Sequence, residues 1–411
     1  MPATLPATEP AAPGAPQGAP AGAAPGGAPG SAPGSAPGSA PGSASGSASG
    51  SASGSDFAPL ARTVRTGGLL ERRTGYYARE IVVTLGATAL TWGAVAWAGS
   101  SWWVLALAVP MAVLSARTAF LGHDAGHHQI ARTARSARWL GMLLGNLLLG
   151  MGHAWWTDKH NRHHANPNHV GKDPDVGEGV LVWTAEQASR RRGAWAWLAR
   201  HQAAAFFPLL LLEGLNLKIG SALHLRSRAG GRDARGGRLL EAVLLAAHWT
   251  GYLTLAFTLM TPGKAVAFML VHHALFGLHL GCAFAPNHKG MAMPAPGQRW
   301  DHLRRQVLTS RNVRGGLVTD WMLGGLNYQI EHHLFPSAPR PSLRRLQPLV
   351  RAHCAQLGLP YTETGIIDSY RQALRHMHDV GATPATTPAT TPATTPATTS
   401  AAAPAAETVR S

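Results

Sequence analysis

Apolar and polar stretches alternate along the middle of the chain at lengths set by a bilayer. Residues 57–80 are polar and basic, with Arg62, Arg65, Arg72, Arg73 and Arg79. Residues 81–98 are apolar, Gly99, Ser100 and Ser101 interrupt them, and residues 102–122 are apolar again apart from Arg117. A second pair, residues 239–261 and 265–285, is separated by Pro262, Gly263 and Lys264. Each run approaches the ~20 residues that a helix needs to cross a bilayer. The short breaks predict two tight helical hairpins, hence four spans, with Trp92, Trp97, Trp102 and Trp103 at the far interface. Residues 139–152 are apolar but too short to span and predict a re-entrant or interfacial helix. Residues 203–217, with Pro208 and Glu213, predict an interfacial or partly inserted segment. Residues 218–238 read as a basic loop, and residues 344–378 as surface helix.

The two ends differ from this core. Residues 1–56 are almost wholly Ala, Pro, Gly and Ser, and residues 382–411 are dominated by a PATT repeat. Neither holds enough apolar area to offset the entropy of ordering a backbone, so both read as disordered tails. The first has no basic segment followed by an apolar one, and so does not read as a secretory signal. Residues 57–381 are expected to form one integral domain.

The net charge is +16, and Glu9 is the only charged residue before Ser55, so the positive charge belongs to the folded part. Its arginines flank apolar runs. That pattern fits a cytoplasmic face and anionic lipid headgroups rather than nucleic acid. With two hairpins, both termini and the basic loops fall on one side, which the positive-inside rule makes cytoplasmic. Cys282 and Cys354 give neither a disulfide framework nor a Cys-based metal site.

Three histidine-rich stretches lie on that same side: His123-Asp-Ala-Gly-His127-His128, His160-Asn-Arg-His163-His164 and Gln329-Ile-Glu-His332-His333. Gln329, His332 and His333 share one helix face, as do His160, His163 and His164. His123 and His127 share a face, with His128 turned about 100° away, where it could reach a second metal. Imidazole suits iron, zinc, copper and nickel. A catalytic zinc takes three protein ligands. Eight clustered histidines with Gln329 are too many for one ion and about right for two, and two redox metals beside a membrane suit oxygen activation. Asp124, Asp173, Asp175, Asp320 and Glu331 are candidates to orient these rings, although Asp173-Pro174-Asp175 also reads as an ordinary turn. A metal transporter is a rival from another class, but transporters place ion sites near the midplane, and these clusters lie outside the spans. Within the fourth run, His272, His273 and His279 read as tunnel lining or helix–helix hydrogen bonds.

HDAGHH, HNRHH and QIEHH resemble the three histidine boxes of the membrane fatty acid desaturase family in type, order and spacing. Asp173 to Asp175, FAPNHKG (284–290), QVLTSRNV (306–313) and GGLNYQIEHHLFPSAPR (324–340) resemble it further, over roughly residues 60–380. The resemblance implies an all-α membrane protein, with four transmembrane helices and a cytoplasmic helical cap holding two iron ions. It implies an enzyme that uses O2 and two electrons to place a cis double bond in a fatty acyl-CoA or acyl-lipid in the membrane. A hydroxylase on the same scaffold is the nearest alternative.

Carried over by position, His123, His127, His128, His160, His163, His164, His332 and His333 are the implied iron ligands. His288 matches the family's additional ligand, and Asn287 beside it would act through water. Gln329 departs from the commoner histidine and resembles the front-end branch; bacterial members also carry it, so it does not fix the double-bond position. A bacterial plasma membrane is the expected location. No HPGG haem motif occurs, so electrons are expected from a separate ferredoxin, reductase or cytochrome b5. His153, Trp155, Trp156 and Arg117 are candidate substrate contacts, Arg117 by snorkelling toward the headgroups.

Overall fold

A computed structural model of the chain describes residues 55–99, 101–226 and 232–383; both sequence tails lie almost wholly outside them. The described residues are mostly helical. The chain runs through α1 (Phe57–Thr66), α2 (Thr74–Ala98), a 3-10 turn (Trp102–Leu107), α3 (Ala108–Gly126), α4 (Ala134–Met142), a π-helical turn (Leu143–Leu149) and α5 (His153–Ala165). It continues through α6 (Ala185–Ser189), α7 (Gly193–Leu210), α8 (Glu213–His224), α9 (Arg232–Leu259), α10 (Pro262–His288) and α11 (His302–Leu308). Last come β1 (Asn312–Arg314), α12 (Leu317–Met322), α13 (Gln329–Leu334), α14 (Arg340–Gln356), β2 (Glu363–Gly365) and α15 (Ile366–Gly381).

Four helical segments, Thr74–Ala98, Trp102–Gly126, Gly236–Leu259 and Pro262–His288, are long and apolar enough to cross a membrane. Leu90 is 77% and Leu270 68% exposed, as on helix faces turned toward lipid. These helices extend past the apolar runs. Helical hydrogen bonding continues beyond the last apolar residue, and so α3 carries His123 and α10 carries His288 on their final turns.

α10 is the central element and packs against α3, α7, α8, α9 and α15. The stretch read as a loop from Lys218 is instead helical up to His224, and the stretch read as interfacial is a helix pair, α7 and α8, bent by 82°. Gly214 and Gly277 explain the bend's seat. A Cβ on Gly277 would lie 2.5 Å from the Gly214 nitrogen, so the two backbones touch where the bend crosses α10. The short apolar stretch before the second box forms α4 and the π turn, which pack on α3.

The sequence pattern gave no sign of β1 and β2, which pair in parallel. Their pairing fixes Asn312, whose Oδ1 accepts from the Ile330 N–H (2.9 Å) and whose Nδ2 donates to Glu331 (2.7 Å). The first turn of α13, and hence the third histidine box, is held in place from outside the helix.

Candidate metal centre

The histidines assemble into two adjacent groups, His123, His127, His160, His164 and His332 in one and His163, His288 and His333 in the other. His164 of the first stacks on His333 of the second at 4.2 Å. The α3 end supplies His123 and His127, α5 the three histidines of the second box, α10 His288, and α13 His332 and His333.

Acceptors outside the groups set the orientation of four rings. His123 Nδ1 lies 3.0 Å from Asp124 Oδ1, and His163 Nδ1 2.9 Å from Asp173 Oδ2. His288 Nδ1 lies 3.0 Å from the Thr309 carbonyl, and His333 Nδ1 3.0 Å from Gln306 Oε1. Each acceptor places the ring proton on Nδ1, so that Nε2 carries the lone pair a metal would take. His123 Nε2 and His333 Nε2 are buried without a hydrogen-bond partner. In the first group, Nε2–Nε2 separations are 2.9 Å for His127–His160, 3.0 Å for His160–His164 and 3.1 Å for His164–His332. Neighbouring donors around an ion bonded at about 2.1 Å stand about 3 Å apart. Burial, then neighbouring imidazoles, holds His127, His160, His164, His332 and His333 well below the usual histidine range. They are neutral, the form that binds metal. Orphaned nitrogens, their spacing and their protonation state all fit a pair of metal ions.

His128 is the exception among the box histidines. It is exposed at φ 59° and belongs to neither group. The helix ends at Gly126, so the 100° rotation expected of a continuing helix does not apply to it. Gln329 Nε2 lies 2.9 Å from His288 Nε2, at the edge of the second group. Asn287 donates to Gln329 Oε1 (3.1 Å) and to two backbone carbonyls, leaving its own Oδ1 buried and unpaired.

The carboxylates divide. Asp124 and Asp173 touch rings, and Asp173 also caps the 3-10 turn Pro174–Val176, so its two readings hold together. Asp175 pairs with Lys159 and approaches His163 Nδ1 at 3.5 Å. Glu331 instead bonds Asn312 and the Tyr361 hydroxyl (2.8 Å), and Asp320 bonds Asn327 (2.8 Å).

Of the expected substrate contacts, Trp156 stacks on His160 at 4.4 Å and stands edge-on to His123 at 5.5 Å. Trp155 packs over Gly220, and His153 lies over Gly141. Arg117 does not reach for headgroups. It is 4% exposed, ion-paired with Glu80, and bonded to the Trp321 carbonyl (2.7 Å). That buried partner satisfies the charge inside the fold. His279 bonds the Met322 carbonyl (2.7 Å).

Several positioning residues escaped the sequence reading. Arg340 pairs with Asp124 at 2.6 Å. Asn168, at φ 55°, donates its N–H to Asp173 (2.7 Å) and its side chain to the His288 carbonyl (2.9 Å). Gln306 and Thr309 sat in a motif already noted, but nothing in the spacing paired them with a ring.

The fatty acid desaturase family matches residues 100–365. Similar proteins include an acyl-lipid (9-3)-desaturase of Physcomitrium patens, 30% identical over 75% of this chain and 59% of its own length. A Delta(8)-fatty-acid desaturase of Helianthus annuus and a Delta(5) fatty acid desaturase of Caenorhabditis elegans are each 29% identical, over 76% of this chain and 70% of their own lengths. All three are eukaryotic. The family match runs through every helix end that contributes a ring to the two histidine groups, and the chain belongs to the fatty acid desaturase family.

Proposed function

We propose that this protein is a fatty acyl desaturase that introduces a cis double bond into an acyl-CoA or acyl-lipid. The observation that carries the reading is the pair of touching groups, five and three imidazoles, at the ends of apolar helices. The eight histidines would hold two iron ions, with Gln329 and Asn287 at the second. Iron held there would supply the activation of O2. With two electrons and two protons from a separate donor, the oxygen takes up two hydrogens from adjacent methylenes and leaves as two waters.

The chain's own residues do the positioning. Asp124, Asp173, the Thr309 carbonyl and Gln306 lock four rings. Trp156 and Phe284, whose rings lie 5.5 and 6.5 Å from His123, supply an apolar wall that excludes water and bears on an alkyl chain. Fixing the acyl chain's depth against that wall selects which methylenes react. The spans form two hairpins, and the site faces the cytoplasm of a plasma membrane.

The test is expression in a bacterium lacking polyunsaturated lipids, beside His332→Ala, with fatty acids profiled by gas chromatography–mass spectrometry after derivatisation. A new alkene only with the intact protein is expected. A hydroxylated product would make it a hydroxylase. Metal uptake without a new lipid, abolished by the same substitution, would favour transport.

A further inference from the structure

A second set of polar side chains converges at membrane depth, away from the histidine groups. A cavity of about 480 Å3 lies between α2, α3, α9 and α10, and the π turn and Lys218 of α8 also line it. On the far side its wall includes Trp92 and Met111, which belong to or pack against the apolar cluster of Val95, Ala256 and Phe268. Toward the metal centre it is bounded by Leu149 and Phe276. Both belong to the apolar cluster against which Trp156 and Phe284 pack. Ser115 in its wall precedes His123 by eight residues of α3, or about 12 Å. The cavity lies where the part of an acyl chain beyond the reacting carbons would come to rest.

Its polar lining is only partly explained by the fold. His272 uses both ring nitrogens, one on Ser115 Oγ (2.9 Å) and one on the Tyr252 hydroxyl (2.8 Å). Lys218 is different. It is 8% exposed, donates to the Leu149 carbonyl, and lies 4.9 Å from the Trp249 ring and 5.9 Å from Phe276. Among the described residues it makes no ion pair. An ammonium has three donors, and a charge left so at this depth is costly. Beside it, neither buried ring nitrogen of His273 has a partner at normal hydrogen-bond geometry, and its contact with the Met269 carbonyl one turn back is a weak one. Spare donors and an idle imidazole therefore face a space that a plain hydrocarbon would fill without pairing them.

Resting on the desaturase reading, we propose that this cavity seats the distal end of the acyl chain, and that Lys218 and His273 select chains bearing an oxygen, as hydroxyl, keto or carboxyl, near that end. The oxygen accepts from Lys218 Nζ, and His273 donates to it or accepts from its hydroxyl. A site built to pair an oxygen rejects the analogue that lacks it, because its own buried groups are then left unpaired.

The test uses cells expressing the full chain with a ferredoxin and its reductase. They are fed three acids of equal length: saturated, polyunsaturated, and saturated with a hydroxyl on the penultimate carbon. The hydroxylated chain is expected to be desaturated at least about tenfold faster than either other. That ratio should fall toward one in Lys218→Met and His273→Phe. Equal or faster turnover of the plain or polyunsaturated chain by the wild type overturns the proposal, as does a ratio that survives both substitutions. The wild-type ratio decides even where a variant fails to accumulate. No alkene from any chain, with iron-loaded protein, removes the desaturase reading itself.

Discussion

Replacing Asp173 by Asn alters one atom and leaves the shape of the side chain intact. The Asp173 carboxylate is fully buried. Its Oδ2 accepts from His163 Nδ1 (2.9 Å) and the Asn168 N–H (2.7 Å), and its Oδ1 from the Asp175 N–H (2.9 Å). Asparagine has one acceptor oxygen. Its better orientation keeps the first two bonds and turns an NH2 group onto the Asp175 N–H. The stranded buried donor and the loss of charge from the His163 bond together cost about 2–4 kcal/mol. His163 also loses the partner that raises its basicity, so metal affinity falls roughly 10–100-fold. The assay is iron per protein after detergent extraction and dialysis against graded chelator, with a thermal melt of the same samples. Asp158→Asn, which breaks an exposed pair with Arg162, is the control and should change little. If Asp173→Asn matched the wild type in chelator midpoint and melting temperature, the claim that this carboxylate orients the ring would be refuted.

The two ends of the first box should separate cleanly in the same iron assay. His127→Ala loses metal, whereas His128→Gly keeps it and, by relieving a left-handed residue, stabilises by about 1 kcal/mol at most. Metal-free protein should lose stability as pH falls. His127, His160, His164, His332 and His333 are held below their ordinary value by burial, and His153 is lowered to about 4 by burial and then Arg138. With folded values below unfolded ones, their contribution is complete above about pH 6.5 and lost on acidification, His153 alone accounting for about 3 kcal/mol by about pH 4. Chelator-treated samples melting at the same temperature from about pH 8 to about pH 5 would contradict this. Gly277→Ala should destabilise by about 1–3 kcal/mol or more, because its Cβ would meet the Gly214 and Leu210 backbones; an unchanged melt in detergent would argue against the close crossing.

Much of this protein was legible in one dimension because its signals are local. Apolar runs of membrane length announce helices whatever they pack against, and the four runs reappear in four helices long and apolar enough to cross a membrane. Histidines at i, i+3 and i+4 share a face as soon as a helix forms, so α5 and α13 could be read in advance. The reading failed where a helix stopped or bent: His128 left its helix, and Lys218 proved to be a buried helical residue rather than part of a basic loop. Tertiary structure alone decided how the rings divide five and three, and which acceptor holds each. Asp173 is ten residues from His163, but Gln306 is 27 from His333 and Arg340 is 216 from Asp124. Such pairings depend on where separate helices come to rest, and no periodicity encodes them. The same holds for the cavity beside Lys218 and His273, which comes into being when α2, α3, α8, α9 and α10 pack around one space.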